Sequence, residues 1–374
     1  MNPLKTMKMK RLQLKFSRYI LLAAILSGVA PCVGAQTYTD RQKIVRSFPA
    51  NAETRLDLTN KYGTVHVVPW KKDSVHIEID MFIKSSSTSK LEKLKRSVDF
   101  EFTDTKYYII ARTDFGGKGG SFFSDLKEII PSKNQVKIDY TIHVPPSMNI
   151  TISNKYGDIY IDDMNGSVSV NLSNGDIKAN NLKGESNISL NFGNGIINEL
   201  NNAKLNIAYA DIEIQKVKQL NIESKSSKIR IHEAGILKTI SRRDKFAVSS
   251  VDNLSGESWF SDIWLYRLND EINYNPKYGA LKVDSISNGF SLINVNSENA
   301  DLRMVFNRQA SYQLEVLKHN DVILQIPEEY GELEVIDQED EAIHLKGMVG
   351  PYPNADSQVK IKAPKKCLIN IQIR

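Results

Sequence analysis

Through the middle of the chain an apolar residue opens a short alternating stretch at about every eighteenth position: Ile159, Ile177, Ile197, Ile212, Ile229, Phe246, Ile263, Leu281 and Leu302. Two positions on come Ile161, Ala179, Glu199, Ile214, Ile231, Val248, Leu265, Val283 and Met304, with Glu199 the one polar residue. Alternation at period two puts both members of each pair on one face of a strand. Several repeats add a second pair upstream: Val168 and Val170, Ile188 and Leu190, Leu220 and Ile222, Ile293 and Val295. Asn174-Gly175 and Asn194-Gly195 supply turns between strands. One such unit buries about four apolar side chains, ~1.5–3 kcal/mol each, against ~1.5 kcal/mol of ordering entropy per residue. It cannot fold alone. Similar units stacked ~4.8 Å apart share ladder hydrogen bonds and one continuous apolar core. The expected fold class is therefore all-β, a parallel β-solenoid (β-helix) of about nine coils of roughly 18 residues, with one short helix in the N-terminal part.

Residues 146–308 hold these repeats. Residues 36–145 read as an N-terminal β region, with alternating strands at Thr64–Val68, Ser74–Asp80, Phe100–Thr113 and Val136–Val144 and an amphipathic helix between Ser85 and Val98 whose apolar side carries Leu91 and Leu94. The glycine run Gly116 to Gly120 reads as a loop, and no Gly-Lys-Ser/Thr follows to make it a phosphate loop. Residues 309–374 hold strands at Tyr312–Val316, Val322–Ile326, Glu332–Ile336 and Val359–Ile361 and a last one ending at Ile373, placed to cap the open edge. Their acidic run, Glu328, Glu329, Glu332, Glu334, Asp337, Glu339, Asp340 and Glu341, is read as a charged edge that discourages aggregation rather than as an ion site.

Residues 1–35 read as a signal peptide: Lys5, Lys8, Lys10, Arg11, Lys15 and Arg18 precede the apolar run Ile20–Ala30 and the small-residue stretch Val33-Gly34-Ala35. The run is too short to span a bilayer. Cleavage after Ala35 is favoured over lipid attachment at Cys32, since Pro31 stands where a small residue is expected. The expected product begins at Gln36, lacks a transmembrane segment, and resides in the periplasm or on the outer cell surface. Removing the leader takes six basic residues and no acidic one, and turns a formal net charge of +5 into −1. A near-neutral chain has no electrostatic reason to bind nucleic acid. Cys367 is then the one cysteine left, so no internal disulfide can form, and it is expected to be a buried strand residue.

Lys-Tyr-Gly occurs at residues 61–63, 155–157 and 277–279. Phe48, Asn60-Lys61-Tyr62-Gly63-Thr64-Val65, Tyr140-Thr141-Ile142-His143-Val144-Pro145 and Asn154-Lys155-Tyr156-Gly157-Asp158-Ile159 together resemble the family of secreted bacterial proteins named putative adhesins. The resemblance implies a β-helical protein acting without catalysis at the surface or in the periplasm; it transfers no catalytic residue and no cofactor.

Read from the residues, the best candidate for a binding surface is Arg242 and Arg243, beside Asp244, with Trp259, Trp264 and Tyr266 one repeat later. Aromatic rings stack on sugars and arginines pair with acidic glycans; the competing reading has a tryptophan in the core and the arginines lining a turn. His66 and His76 fall on polar faces of strands taken as neighbours, without a third ligand to make a metal site. The acidic residues that precede the opening positions, among them Asp158, Asp176, Asp211, Asp262 and Asp301, are read as a solvated column rather than a calcium ladder, since Ile196, Lys228, Lys245 and Ala280 interrupt it. The expected function is adhesin-like binding or scaffolding through the solenoid surface, with no cofactor and with glycans, envelope proteins or other copies as partners. Alternatives are a polysaccharide-acting β-helix enzyme and a periplasmic structural or sensing protein.

Overall fold

A computed structural model describes residues 37–116, 135–327, 333–339, 341–352 and 355–374. The proposed leader, Cys32 and Gln36 lie outside the described residues, as do Gly117 to Gly120 and Glu328, Glu329, Glu332 and Asp340. The described chain is nearly all β, with one helix, and its strands join a single, mostly parallel sheet. No helix among the described residues is long and apolar enough to cross a membrane.

In the central stretch, Ile177–Lys225, Lys228–Arg242, Lys245–Leu265 and Leu268–Ile286 are laid side by side in parallel. Ile212 stands opposite Ile229, Ile229 opposite Phe246, Ile263 opposite Leu281 and Leu281 opposite Leu302. The column of opening residues is thus a column in space. It runs on past both ends of the repeat, through Val65, which faces both Tyr140 and Ile159, and through Ile369, which faces Leu302. One apolar cluster extends from Phe48 to Ile371.

One repeat sits two residues away from its expected register. Asp158 Oδ1 accepts the N–H of Asp176 (2.9 Å), and Asp176 Oδ1 accepts that of Asn194 (2.8 Å), which carries the same step forward from rung to rung. Gly195, not Ile197, then fills the opening position, wedged between Ile177 and Ile212 where a Cβ would meet Ile212 Cγ1 at 2.8 Å. Ile197 packs one inward position further on, and Glu199, the exception in the sequence pattern, points to solvent. The acidic column keeps Asp262 and Asp301 exposed and Asp158, Asp176 and Asp211 half-exposed, and most of these carboxylates also bond along it. Asp158 and Asp176 accept backbone N–H groups from the next rung, as Asp301 does from Leu368 (2.9 Å), and Asp211 pairs with Lys228 (3.5 Å).

At both ends the rungs leave sequence order. Arg55–Lys61 lies between Tyr108–Phe115 and Asn149–Lys155, parallel to both, and Val65–Pro69 lies likewise between Gln135–Val144 and Ile159–Ile161. At the far end Gln358–Ala363 slots between Leu292–Asn296 and Tyr312–His319, and Leu368–Ile373 between Glu298–Phe306 and Ile323–Gln325. Outside these inserted rungs the pairing turns antiparallel, with Ser74–Ser85 on Gln135–Val144, Tyr38–Pro49 on Ser74–Ser85, and Ala342–Val349 on Tyr312–His319. Helix α1 (Thr88–Ser97) starts where Ser87 Oγ accepts the N–H of Lys90 (3.3 Å), and it buries Leu91 and Leu94 at the N-terminal end of the core. Cys367 is buried, as expected, and burial pushes its thiol pKa up.

Candidate binding edge

Among the described residues ten that are not glycine have left-handed backbone, with φ between 52° and 65°: Tyr62, Tyr156, Asn174, Phe192, Tyr209, Ser226, Arg243, Phe260, Tyr278 and Asn299. From Tyr156 to Asn299 they follow one another at the rung spacing, and Tyr62 joins the row where its strand pairs with Asn149–Lys155, so the chain turns the same corner in the same way on rung after rung. The corner keeps its place in the ladder: the N–H groups of Tyr62, Tyr156, Asn174, Ser226 and Arg243 donate to carbonyls of the next rung at 2.9–3.0 Å. A left-handed conformation costs a residue with a Cβ roughly 1–2 kcal/mol, and only Gly, Asn and Asp adopt it with ease. Asn174 and Asn299 suit the position. Six of the ten are Tyr or Phe.

These rings do not go into the core. Tyr156, Phe192, Tyr209, Phe260 and Tyr278 keep 44–61% of their surface exposed. They stack in pairs along the edge: Tyr62 on Tyr156 (centroids 5.4 Å apart), Phe192 on Tyr209 (5.1 Å) and Phe260 on Tyr278 (4.7 Å), each within 9° of parallel. The preceding position carries cations. Lys61 Nζ sits 4.7 Å from the Tyr62 ring, Lys155 Nζ 5.1 Å from Tyr156, and Lys225 Nζ 5.7 Å from Tyr209. Burial and the neighbouring Lys155 hold the Lys61 pKa below the usual lysine value. Beside the middle of this edge lies a concavity of about 390 Å³ lined by Asn191, Ala208, Glu223, Lys225 and Arg242.

The sequence-predicted residues divide between this edge and the next face. Arg242 and Trp259 are opposite each other on adjacent rungs, with the guanidinium 5.1 Å from the indole centroid, and Arg243 is itself a corner residue. Trp264 and Tyr266 lie beyond the corner at Phe260 and stack on each other at 4.8 Å. Neither Trp259 nor Trp264 is buried in the core. Asp244, by contrast, is 2% exposed and accepts from Ser224 Oγ (2.7 Å), Ser227 N (2.8 Å), Ser241 Oγ (2.8 Å) and Arg242 N (2.9 Å). It braces the corner from within and presents nothing to a ligand.

His66 and His76 are not on neighbouring strands. Gln135–Val144 runs between theirs, and His76 faces His143 on that strand, with Trp70 packed against both of these histidine rings. Glu213, with Arg230 and His232 on the next rung, is the most enzyme-like cluster. Hydrogen bonds from His232 and then Arg230 pull the Glu213 pKa down, the opposite of what a general acid needs. Among the described residues no three His, Cys, Asp or Glu side chains gather as metal ligands would.

Sequence reading noticed Lys-Tyr-Gly as a marker of the repeat and missed the aromatic edge that it belongs to. The signal was there: at each aromatic corner a small residue follows the ring, as in Phe192-Gly193, Tyr209-Ala210 and Phe260-Ser261.

No family model matches the sequence, and no curated protein does. Among solved structures the chain is similar to a putative cell adhesion protein from Clostridium sporogenes, at 11% identity over 90% of this chain and 100% of that one, with a TM-score of 0.22. It is also similar to a putative adhesin from Bacteroides fragilis, at 10% identity over 88% of this chain and 97% of that one, with a TM-score of 0.28. A third likeness is to a putative adhesin from Parabacteroides distasonis, at 12% identity over 72% of this chain and 94% of that one, with a TM-score of 0.29.

Proposed function

We propose that this chain is an exported, non-enzymatic β-solenoid of the cell envelope, built of stacked repeating coils, that binds extended polysaccharide along its aromatic edge in the manner of an adhesin. The observation that carries the reading is the placement of six bulky rings at left-handed corners where asparagine or glycine would be cheaper. Strain of this kind persists where function uses it. A half-exposed ring in that position buries little surface, whereas a row of stacked ring pairs exposing apolar edges at a fixed rung spacing suits successive sugars of a chain.

Arg242, Arg243 and Trp259 form the middle of the binding edge in this reading; Trp264 and Tyr266 lie outside it, on the next face. Lys61, Lys155 and Lys225 favour ligands that carry negative charge.

Two measurements test it. Melting shifts on a panel of polysaccharides, with Phe192→Ala/Tyr209→Ala as the comparison, should show a shift that the double variant loses. Fractionation with protease shaving and an intact mass should find a surface-exposed chain beginning at Gln36. A protected periplasmic chain without glycan binding would replace adhesion with envelope scaffolding or sensing.

A further inference from the structure

Round the corner from the aromatic edge, on the face formed by the residues after it, is a groove of about 280 Å³. Its outward positions fall in two rows. One row runs through Lys228 and Lys245 and then through Asp262 and Ala280; the other runs through Arg230 and Ala247 and then through Trp264 and Lys282. The N–H of Tyr266 donates to the carbonyl of Val248 (2.8 Å), which sets Trp264 one rung from Ala247. Where the neighbouring rungs carry long side chains, Ala247 and Ala280 carry a methyl. The gap between Arg230 and Trp264 is the groove.

Its aromatic wall is held in place. Trp264 is 41% exposed, its Nε1–H donates to Asp284 Oδ2 (2.6 Å), Arg303 holds that carboxylate (2.7 Å), and Tyr266 stacks against the indole. The cations divide into two kinds. Lys228 is paired with Asp211 and Arg230 with Glu213, both at 3.5 Å. Lys245 and Lys282 have no carboxylate within salt-bridge distance among the described residues, so the groove holds two lysines outside any ion pair beside a fixed indole. Asp262 adds a carboxylate at the same rim, an acceptor for hydroxyl groups and a repellent for a densely charged anion such as a phosphate.

We infer that this groove is a binding site for one uronic-acid residue of an acidic polysaccharide. The sugar ring lies on Trp264, its carboxylate is held by Lys245 and Lys282, and a ring hydroxyl donates to Asp262. The volume, about 280 Å³ and so just below the ~300–1,000 Å³ of small-molecule sites, suits one sugar ring. The site is separate from the aromatic edge and stands or falls without it.

Calorimetric titration of the full chain with trigalacturonate, with galactotriose as the neutral control and free galacturonate as the single-residue control, tests the inference. The expected result is salt-sensitive binding of trigalacturonate, weaker binding of galacturonate and none of galactotriose, with Trp264→Ala and Lys245→Gln/Lys282→Gln each weakening trigalacturonate by about tenfold or more. Because Lys282 is a surface lysine, Lys282→Gln alone gives a folded protein should Trp264→Ala fail to fold. Wild-type affinity in both the tryptophan and the lysine variants, or equal binding of galactotriose, overturns the inference. Loss in the Phe192/Tyr209 variant with retention in Trp264→Ala would overturn it as well while leaving the edge reading standing.

Discussion

One corner of this molecule is built in two ways along its length. Where the left-handed residue is Tyr62, Tyr156, Asn174 or Phe192, the next residue is glycine, and the rungs pack backbone against backbone. A Cβ on Gly175 would come within 2.2 Å of the Gly157 carbonyl oxygen, and one on Gly193 within 1.9 Å of that of Gly175. From Tyr209 to Phe260 the next residues are Ala210, Ser227, Asp244 and Ser261, and side chains take over; at Tyr278 the next residue is glycine again. Ser227 Oγ accepts the N–H of Ala210 (3.2 Å), Asp244 Oδ1 that of Ser227 (2.8 Å), and Ser261 Oγ that of Asp244 (3.1 Å). The corner spacing tightens with the change: Phe192, Tyr209, Ser226, Arg243 and Phe260 follow one another more closely in sequence than Tyr156, Asn174 and Phe192 do. A buried donor can be satisfied by a backbone carbonyl or by a side chain, and the two solutions tolerate different mutations.

The largest difference between the halves should appear at Asp244. Asp244→Ala leaves four buried donors without their acceptor, and a loss of ~3–5 kcal/mol is expected. Urea unfolding measures it; a loss no greater than that of an exposed aspartate such as Asp163 would show that the side-chain corner does not depend on this carboxylate. In the other half, Gly175→Ala forces a methyl against a carbonyl and should cost ~1–3 kcal/mol. The reciprocal change, Ala210→Gly, should cost less than about 1 kcal/mol. Equal effects of the two would erase the distinction.

The core beside the side-chain half also titrates. Tyr274 is fully buried with its hydroxyl on Thr239 Oγ1 (2.8 Å), Gly256 occupying the rung between them, and burial raises its pKa from 10.0 to about 12. The folded state therefore keeps a proton that the unfolded state releases. Tyr274 stabilises the fold fully below pH 10, and its contribution is lost as pH rises toward 12, by up to about 1.4 kcal/mol per pH unit. Burial raises the Tyr140 and Tyr312 pKa values in the same direction. Tyr274→Phe should flatten the alkaline loss in a series of unfolding curves; an unchanged slope would mean that the other tyrosines carry it.

The smallest effect on stability should come from the edge itself. Tyr209→Gly relieves a left-handed side chain and gives up one stacked pair, two opposing changes that leave stability within about 1 kcal/mol of wild type. Polysaccharide binding should nevertheless fall. A large stability loss with unchanged binding would make the stacked rings a structural device common to both halves.

Much of this was legible beforehand. The apolar columns, the all-β class, Leu91 and Leu94 on the helix and the buried Cys367 all follow from spacing and composition, because a strand that buries one face must alternate. The register slip at Gly195 was hidden because the sequence offers Ile197 at nearly the same spacing; only contact with Ile177 and Ile212 distinguishes them. The candidate site was half visible. Arg242 and Trp259 do meet, but Trp264 belongs to another face, and Asp244 is buried among serines that look like surface residues when read alone.

What the sequence determined by itself is the repeating unit: its alternation and length, and its inability to bury its apolar face without neighbours. What the tertiary structure decided is the order of the rungs and the character of the corner. Arg55–Pro69 and Gln358–Ile373 enter the stack between segments from elsewhere in the chain, and such long-range pairing leaves no periodic trace in the sequence. The positive φ at Tyr62 and Tyr156 comes with ladder hydrogen bonds to the adjacent rung that offset the residue's own preference, and the repetition of that corner is what turns scattered aromatic residues into one exposed edge.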